Sequence, residues 1–257
     1  MNARPLALIT GGWRRVGAAI ARRLAGEGYD LVLHARSASA FDEGLAAEFA
    51  ALGAATHLLA ADLADPARPP RLPAEAAAMA GRAPTLLVNC ASAFIDDTIA
   101  SITAESLDQH FGVNLFAPVV LSRAMAEMLA NEPGDAPGAI IHVLDQRVIN
   151  PVPDQLSYTL SKQALHASVR TLARAMAPRI RVNGVAPGLT LPTADYDAAQ
   201  WQRLAALMPL ESLPKPEEIA DAVSVLAGAR SITGQTIFVD GGAHLESYAR
   251  DFVYLAK

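Results

Sequence analysis

The sequence predicts an α/β fold: one domain over residues 1–257, built on a doubly wound parallel sheet of seven strands. Three observations carry this. Seven short apolar runs recur along the chain, separated by longer Ala- and Leu-rich stretches of helical composition. The runs are apolar at successive positions rather than alternating, as strands are when helices cover both faces of a sheet. A glycine-rich turn sits between the first run and the first helical stretch.

The elements follow in order. The first strand is expected over 6–10. It meets a glycine turn rather than a cleavage site, so it reads as a buried strand and not a signal peptide. Helix 15–27, strand 31–35, helix 41–52 and strand 56–60 come next. The Pro-rich stretch 65–73 reads as a surface loop opening helix 74–80, which leads to strand 86–89. A long helix over 104–131 and a turn at 132–138 precede strand 139–144. Helix 155–176, strand 180–186, helix 216–227 and strand 235–239 complete the set. There is no internal repeat and no composition shift that marks a domain boundary.

Bulk properties narrow the function. The formal charge of −5 and the lack of Lys/Arg runs argue against a nucleic-acid surface. One cysteine, Cys90, cannot form an internal disulfide, which suits a reducing cytoplasm. No apolar run looks long enough to span a bilayer, so no membrane association is expected. His34 and His142 lack a carboxylate or cysteine partner at ligand spacing, so both read as structural and no metal site is expected.

The turn Thr10-Gly11-Gly12-Trp13-Arg14-Arg15-Val16-Gly17 brings backbone N–H groups and a helix N-terminus to one point, an arrangement suited to a pyrophosphate. The simpler reading is a tight turn that needs glycine for positive φ; the strand–turn–helix context favours the nucleotide. Strand two discriminates between cofactors. It ends in His34-Ala35-Arg36-Ser37, with no acid to hold a ribose 2′-hydroxyl. Arg36 offers a planar fork and Ser37 a further donor for a 2′-phosphate, with Arg14 and Arg15 nearby. NADP(H) is therefore expected over NAD(H), against the alternative that these arginines are ordinary surface charges. Trp13 either shields the cofactor or packs.

Tyr158 and Lys162 lie four residues apart, on one face of the helix expected there. A lysine cation beside a phenol favours the phenolate and would lower the tyrosine pKa toward neutrality. Asp145 precedes them at the end of a strand.

With these residues in place, the chain resembles the short-chain dehydrogenase/reductases over almost its whole length. Thr10-Gly11 through Gly17 resembles the phosphate turn, and Asp62-Leu63 the adenine contact. Asn89-Cys90-Ala91-Ser92 stands where the family has Asn-Asn-Ala-Gly. Asn114 resembles the structural and catalytic asparagine, and Tyr158 with Lys162 the active pair. Pro187-Gly188 resembles the segment closing over the nicotinamide, with Thr190 and Thr193 as pyrophosphate contacts, and Asp240-Gly241-Gly242 resembles the end of the last strand. The resemblance implies a Rossmann-like reductase with Asp145, Tyr158, Lys162 and Asn114 as catalytic residues. It also implies a homo-oligomer, commonly a tetramer, on the helices carrying Asn114 and Tyr158 and on the last helix and strand.

Two departures sharpen this. Arg15 replaces the second glycine of the turn, and Asp145 replaces the usual active-site serine. Both are similar to the pteridine reductase branch, with its dihydromonapterin reductases and alternative dihydrofolate reductases. Phe94 stands where that branch has an aromatic that stacks on the pterin; the alternative is core packing. The implied reaction is NADPH-dependent reduction of a dihydropterin or dihydrofolate to its tetrahydro form. Arg15, Ser92, Phe94, Asp145, Tyr158 and Leu189 are the implied substrate contacts. Arg15 reaches either pyrophosphate and substrate together or phosphate alone. Asp145 itself has a blander reading, as a helix cap or loop acid. Cys90, in place of asparagine, reads as a small packing residue.

Two further functions compete. One is an NADPH-dependent carbonyl reductase acting on a 3-oxoacyl thioester. Asp145 argues against it, because a carboxylate repels a developing oxyanion where a serine polarises it. The other is a non-catalytic NADPH-binding scaffold, against which Tyr158, Lys162 and Asn114 all stand. Residues 189–210 read as a mobile lid over the substrate. The tail 244–257, with Tyr248, Phe252, Tyr254 and Leu255, packs either on a neighbouring subunit or on its own.

Overall fold

The computed structural model describes residues 4–40, 42–132, 137–193 and 196–257. Phe41 of the expected second helix, 133–136 of the expected turn and 194–195 of the expected lid lie outside them. The chain runs β1 Leu6–Thr10, α1 Arg15–Gly26, β2 Asp30–Ala35, α2 Glu43–Ala51, β3 Thr56–Ala60, α3 Leu72–Ala80 and β4 Leu86–Asn89. Then come α4 Ala104–Phe111, a π-turn Gly112–Phe116 and α5 Ala117–Ala130. They are followed by β5 Gly138–Val143, α6 Leu156–Met176, β6 Ile180–Pro187, α7 Ala198–Leu207, α8 Pro216–Gly228 and β7 Thr236–Val239.

The seven strands form one sheet in the order β3-β2-β1-β4-β5-β6-β7, and every pairing is parallel. Parallel neighbours need crossovers, and the helices supply them on both faces. Side-chain alternation splits β1: Ala7 and Ile9 join Ile20 and Leu24 of α1 and Ile219 and Val223 of α8, all buried. Leu6 and Leu8 point the other way, onto Leu121, Met125 and Leu129 of α5. That is why the strand is apolar from Leu6 to Ile9 without alternation. The edge strands depart from this: β3 and β7 are only partly buried, because each has a single neighbour.

Two sequence expectations need correction. The helix over 104–131 is not continuous α-helix but carries the π-turn at Asn114. Residues 104–130 are also long and apolar enough to cross a membrane by length and composition, contrary to the expectation that no such run exists. Here the stretch packs Leu121, Met125 and Leu129 against the sheet.

Winding reverses between β1 and β4, and ligand crevices of such sheets open at the strand C-termini there. Pairing of Thr10 with both His34 and Asn89 sets three strand ends side by side at that point.

Candidate active site

Along these strand ends runs a cleft of about 1320 Å³, larger than most single-ligand pockets. One half is the glycine turn. Thr10 Oγ1 accepts from the Cys90 and Ala91 N–H groups at 3.0 and 3.1 Å, so the turn after β1 is pinned to the segment after β4. Gly11 has φ +66°, and a Cβ there would lie 3.0 Å from the Ala91 backbone. Arg15 adopts φ +54° without being glycine, a conformation that costs roughly 1 kcal/mol.

The N-terminus of α1 has no acidic residue in its first turn and no side-chain cap from Arg14. Its first N–H groups and the positive end of its dipole are therefore offered to an anion. Arg14 and Arg15 are exposed on the turn, and Arg36 and Ser37 are exposed beside it after β2. All four line the cleft, with Val16, Asp62 and Leu63. Asp62 turns its carboxylate onto the Ala64 N–H at 2.9 Å.

Trp13 and His34 line the same wall, but their side chains serve the fold. The Trp13 indole is buried and donates to the Leu33 carbonyl at 2.6 Å. His34 Nδ1 accepts from the Gly11 N–H at 3.3 Å, which leaves the proton on Nε2 facing the Ala61 carbonyl at 2.9 Å. Burial holds its pKa below the ordinary value, so a neutral imidazole ties the turn to the end of β3.

The other half of the cleft holds Asp145, Tyr158 and Lys162. The Tyr158 hydroxyl donates to Asp145 Oδ2 at 2.9 Å. The other Asp145 oxygen accepts from the Arg147 backbone N–H at 2.9 Å and from its guanidinium at 3.2 Å. Asp145 therefore caps the turn 146–148 with one oxygen, as its blander reading expects, and accepts from the phenol with the other. Lys162 is buried and donates to the Val143 carbonyl at 2.8 Å.

The expected pKa effect is reversed. Burial pushes Tyr158 well above the ordinary phenol value, and the Asp145 carboxylate adds to it. The cation that opposes this is Arg147, its guanidinium 5.4 Å from the ring centroid, rather than Lys162. Lys162 Nζ lies 5.8 Å from that centroid and is turned to a main-chain carbonyl.

Asn114 sits in the π-turn, fully buried. Its Oδ1 accepts from the Ala93 N–H at 2.8 Å and the Ser92 hydroxyl at 3.1 Å. Its Nδ2 donates to the Ala93 carbonyl and to Ser161 Oγ, each at 3.0 Å. The side chain thus locks the segment after β4 to the helix that carries Tyr158. π-turns of this kind mark functional positions in many helices. Phe94, just beyond that segment, is 56% exposed, which excludes the core-packing reading. Its ring meets Tyr158 edge-on with centroids 4.7 Å apart. Pro187, Gly188, Leu189 and Thr190 close the far wall. Thr190 donates to the Gly188 carbonyl at 2.8 Å, and a Cβ on Gly188 would meet Asp240 at 2.7 Å.

Four residues were not singled out from the sequence. Arg147, Gln155, Asp251 and Asp154 form a buried network joining Asp145 to the C-terminal tail. Only chain proximity of Arg147 to Asp145 signalled any of it. The tail packs on its own subunit: Phe252 is buried with Leu204, Met208 and Ala243, and Tyr248 and Leu255 pack against them. The stretch expected as a lid contains α7, which is tied to that tail by Gln200 Nε2 donating to the Leu255 carbonyl at 2.8 Å. Cys90 is packed against the core, and burial pushes its thiol up to about 11. Among the described residues, no group of three or more His, Cys, Asp or Glu comes together to hold a metal.

His142, fully buried under the site, is held down to about 3 by burial and the nearby Lys162. A histidine that stays neutral when folded but charges when unfolded leaves stability intact above its ordinary value near 6.5. That stability is lost as pH falls from there toward 3. The full loss is on the order of 5 kcal/mol. Urea unfolding between pH 7 and pH 4 is expected to show a shallower fall for His142→Gln than for the unaltered protein. Parallel curves contradict it.

Comparison with known proteins identifies the family. Residues 13–244 match the family described as enoyl-(acyl carrier protein) reductase. The FolM alternative dihydrofolate reductase 1 of Brucella canis, solved in complex with NADP, is 38% identical. Its TM-score is 0.85, with 97% of this chain and 98% of that one covered. The dihydromonapterin reductase of Enterobacter sp. (strain 638) is 30% identical over 94% of this chain and 97% of its own. A granaticin polyketide synthase protein of Streptomyces violaceoruber, named as a ketoacyl reductase, is 32% identical over 94% of this chain and 96% of its own. The chain belongs to the short-chain dehydrogenase/reductase family and is an oxidoreductase.

Proposed function

We propose that the protein reduces a dihydropterin, in free form or as dihydrofolate, to the tetrahydro level with NADPH. The observation that carries this is the Asp145 carboxylate, 2.9 Å from the Tyr158 hydroxyl where a ketone reductase needs a neutral donor. The likeness to a FolM reductase and a dihydromonapterin reductase supports it.

The residues fit NADPH. The glycine turn leaves room for a pyrophosphate against an uncapped helix N-terminus, and Arg36 with Ser37 stands where a 2′-phosphate needs donors. When bound, NADPH supplies the hydride. The chain supplies the rest. Phe94 gives an exposed aromatic face on which a flat heterocycle can stack. Asp145 accepts from ring or exocyclic N–H groups. Tyr158, held protonated by burial and Asp145, keeps its proton at Oη until the reacting ring nitrogen becomes basic, and then donates it. Lys162 would hold the nicotinamide ribose, and Asn114 keeps the segment after β4 in register with α6. Residues 189–193 and 196–210 cover the substrate, and the helices carrying Asn114 and Tyr158 assemble the chain into a homo-oligomer in the cytoplasm, where exposed Phe116 and Leu160 supply apolar surface.

The relative named as a ketoacyl reductase keeps one competing reading, reduction of a 3-oxoacyl thioester. NADPH oxidation with dihydromonapterin, dihydrofolate and an acetoacetyl thioester separates the two. Turnover of the thioester alone rejects the pterin proposal. Within the proposal, Phe94→Ala is expected to raise the dihydropterin KM roughly tenfold by removing a stacking surface, with NADPH affinity unchanged. An unchanged KM removes Phe94 from the site. Arg36→Asp is expected to shift the NADPH/NADH preference by about 100-fold, through two or so lost charge-assisted hydrogen bonds and a repelled phosphate. Equal preference in both proteins counts against the 2′-phosphate site.

A further inference from the structure

The segment beyond the last strand ends beside the reacting side chains, and one arginine connects them. Arg147 is buried and has three kinds of partner. Its Nε donates to Asp145 Oδ1 at 3.2 Å, Nη1 to Gln155 Oε1 at 3.1 Å, and Nη2 to Asp251 Oδ2 at 2.7 Å. Each anchor is itself fixed. Gln155 stands in the left-handed region at φ +46° and donates to Asp96 Oδ1 at 3.0 Å. The Asp251 N–H donates to Asp154 Oδ2 at 2.7 Å, and Arg250 Nε is shared between the two oxygens of that same carboxylate at 2.8 and 2.9 Å. Asp251 Oδ1 is used by the Val253 N–H at 3.0 Å.

We propose that Arg147 is a positioning residue of this site: clamped by Asp251 of the tail and by Gln155, it fixes the Asp145 carboxylate against the Tyr158 hydroxyl, so that the segment after β7 belongs to the catalytic machinery. The proposal rests on the reductase reading above.

The physical case is a matter of orientation. A carboxylate held by a single hydrogen bond rotates about its last torsion; Asp145 is held at both oxygens, one toward Arg147 and one toward Tyr158. The guanidinium presents several donors in one plane, so fixing two of its nitrogens on Gln155 and Asp251 fixes the third on Asp145. Burial works against the Arg147 charge, but Asp145 and Asp251 outweigh it and hold the guanidinium above its ordinary value. Removing one member of such a buried set leaves the others uncompensated. Two acids flanking one buried cation also keep the net charge beside the substrate low.

The test uses Arg147→Met, Asp251→Asn and the double variant, with dihydromonapterin and NADPH as reactants. Arg147→Met is expected to lower kcat on the order of 30- to 100-fold, the cost of a misplaced reacting group. The NADPH dissociation constant, read by cofactor fluorescence, is expected to stay within about twofold, because none of the hydrogen bonds of Arg147 reaches the glycine turn. Asp251→Asn keeps the shape and lowers kcat roughly fivefold. The double variant is no slower than Arg147→Met, since both act through one clamp. If Arg147→Met does not fold, Asp251→Asn and Arg147→Lys carry the test, with Lys restoring charge but not the fork. Wild-type kcat in Asp251→Asn overturns the proposal, and so do losses that simply multiply in the double variant. Stability coupling between positions 147 and 251 with unchanged kcat makes the clamp structural only, and also overturns it. If the unaltered protein turns over an acetoacetyl thioester and no pterin, the substrate reading fails. The same kcat comparison is then run on the thioester and judged by the same outcomes.

Discussion

Asp145→Ala is expected to lower dihydropterin turnover by 10²- to 10⁴-fold while changing NADPH affinity by no more than about threefold. The large figure follows from what the carboxylate touches. One oxygen takes the Tyr158 hydroxyl at 2.9 Å and the other takes Arg147, so alanine frees the proton donor and the neighbouring cation together. The small figure follows from what it does not touch: none of its hydrogen bonds reaches the glycine turn or the residues after β2. Asp145→Asn separates charge from shape. An amide still accepts from the phenol, but it cannot pair ionically with Arg147, so its turnover is expected between that of alanine and the unaltered protein. Steady-state kinetics with a cofactor titration decides the matter. Turnover of the alanine variant within about threefold of the parent rejects a catalytic role for Asp145, and the pterin proposal loses its principal support.

The inner strands were legible because parallel strands buried on both faces are continuous apolar runs, and all seven strands, the partly buried edge strands included, fell within a residue or two of their observed limits. The half of the cleft expected to hold the cofactor was legible for a related reason. Gly11, Arg36 and Asp62 lie where a strand passes into a loop and Gly17 in the first turn of the helix that follows, and chain order alone places them along one end of the sheet. The clamp was not legible. Arg147 and Asp251 are 104 residues apart, and no periodicity links a loop arginine to an acid beyond the last strand. The sign of the Tyr158 shift was missed for the same reason. Spacing puts Lys162 on its face of the helix, but it cannot show the lysine turned to Val143 while Asp145 takes the hydroxyl. Helix α7 was hidden behind a stretch rich in Pro and Thr, and its anchor is the tail's main-chain carbonyls, which carry no sequence signal.

Gly17→Ala is expected to abolish tight NADPH binding, raising the dissociation constant at least about 100-fold. Gly17 lies in the first turn of α1, and its backbone is ordinary helix, so conformational freedom is not the reason for glycine. Space is. A Cβ at this position would stand 2.1 Å from the Gly11 carbonyl oxygen and 2.8 Å from its carbonyl carbon. These are backbone atoms and cannot swing aside like the end of a side chain, so the turn must move by about an ångström. The turn cannot move alone, because Thr10 ties it to Cys90 and Ala91 and His34 ties it to the end of β3. Overpacking of this kind costs about 1–3 kcal/mol in stability. The N–H groups aimed at a phosphate are displaced with the turn, and the anion site loses its geometry. The same helix carries its own control. A Cβ on Gly26, at the other end of α1, meets nothing within 4 Å. Gly26→Ala is therefore expected to bind NADPH normally and to gain roughly 0.5–1 kcal/mol from the alanine preference of helices. Cofactor titration and thermal unfolding of the two variants side by side read both effects. Equal NADPH affinity in Gly17→Ala and Gly26→Ala means that the turn before α1 does not hold the cofactor phosphates.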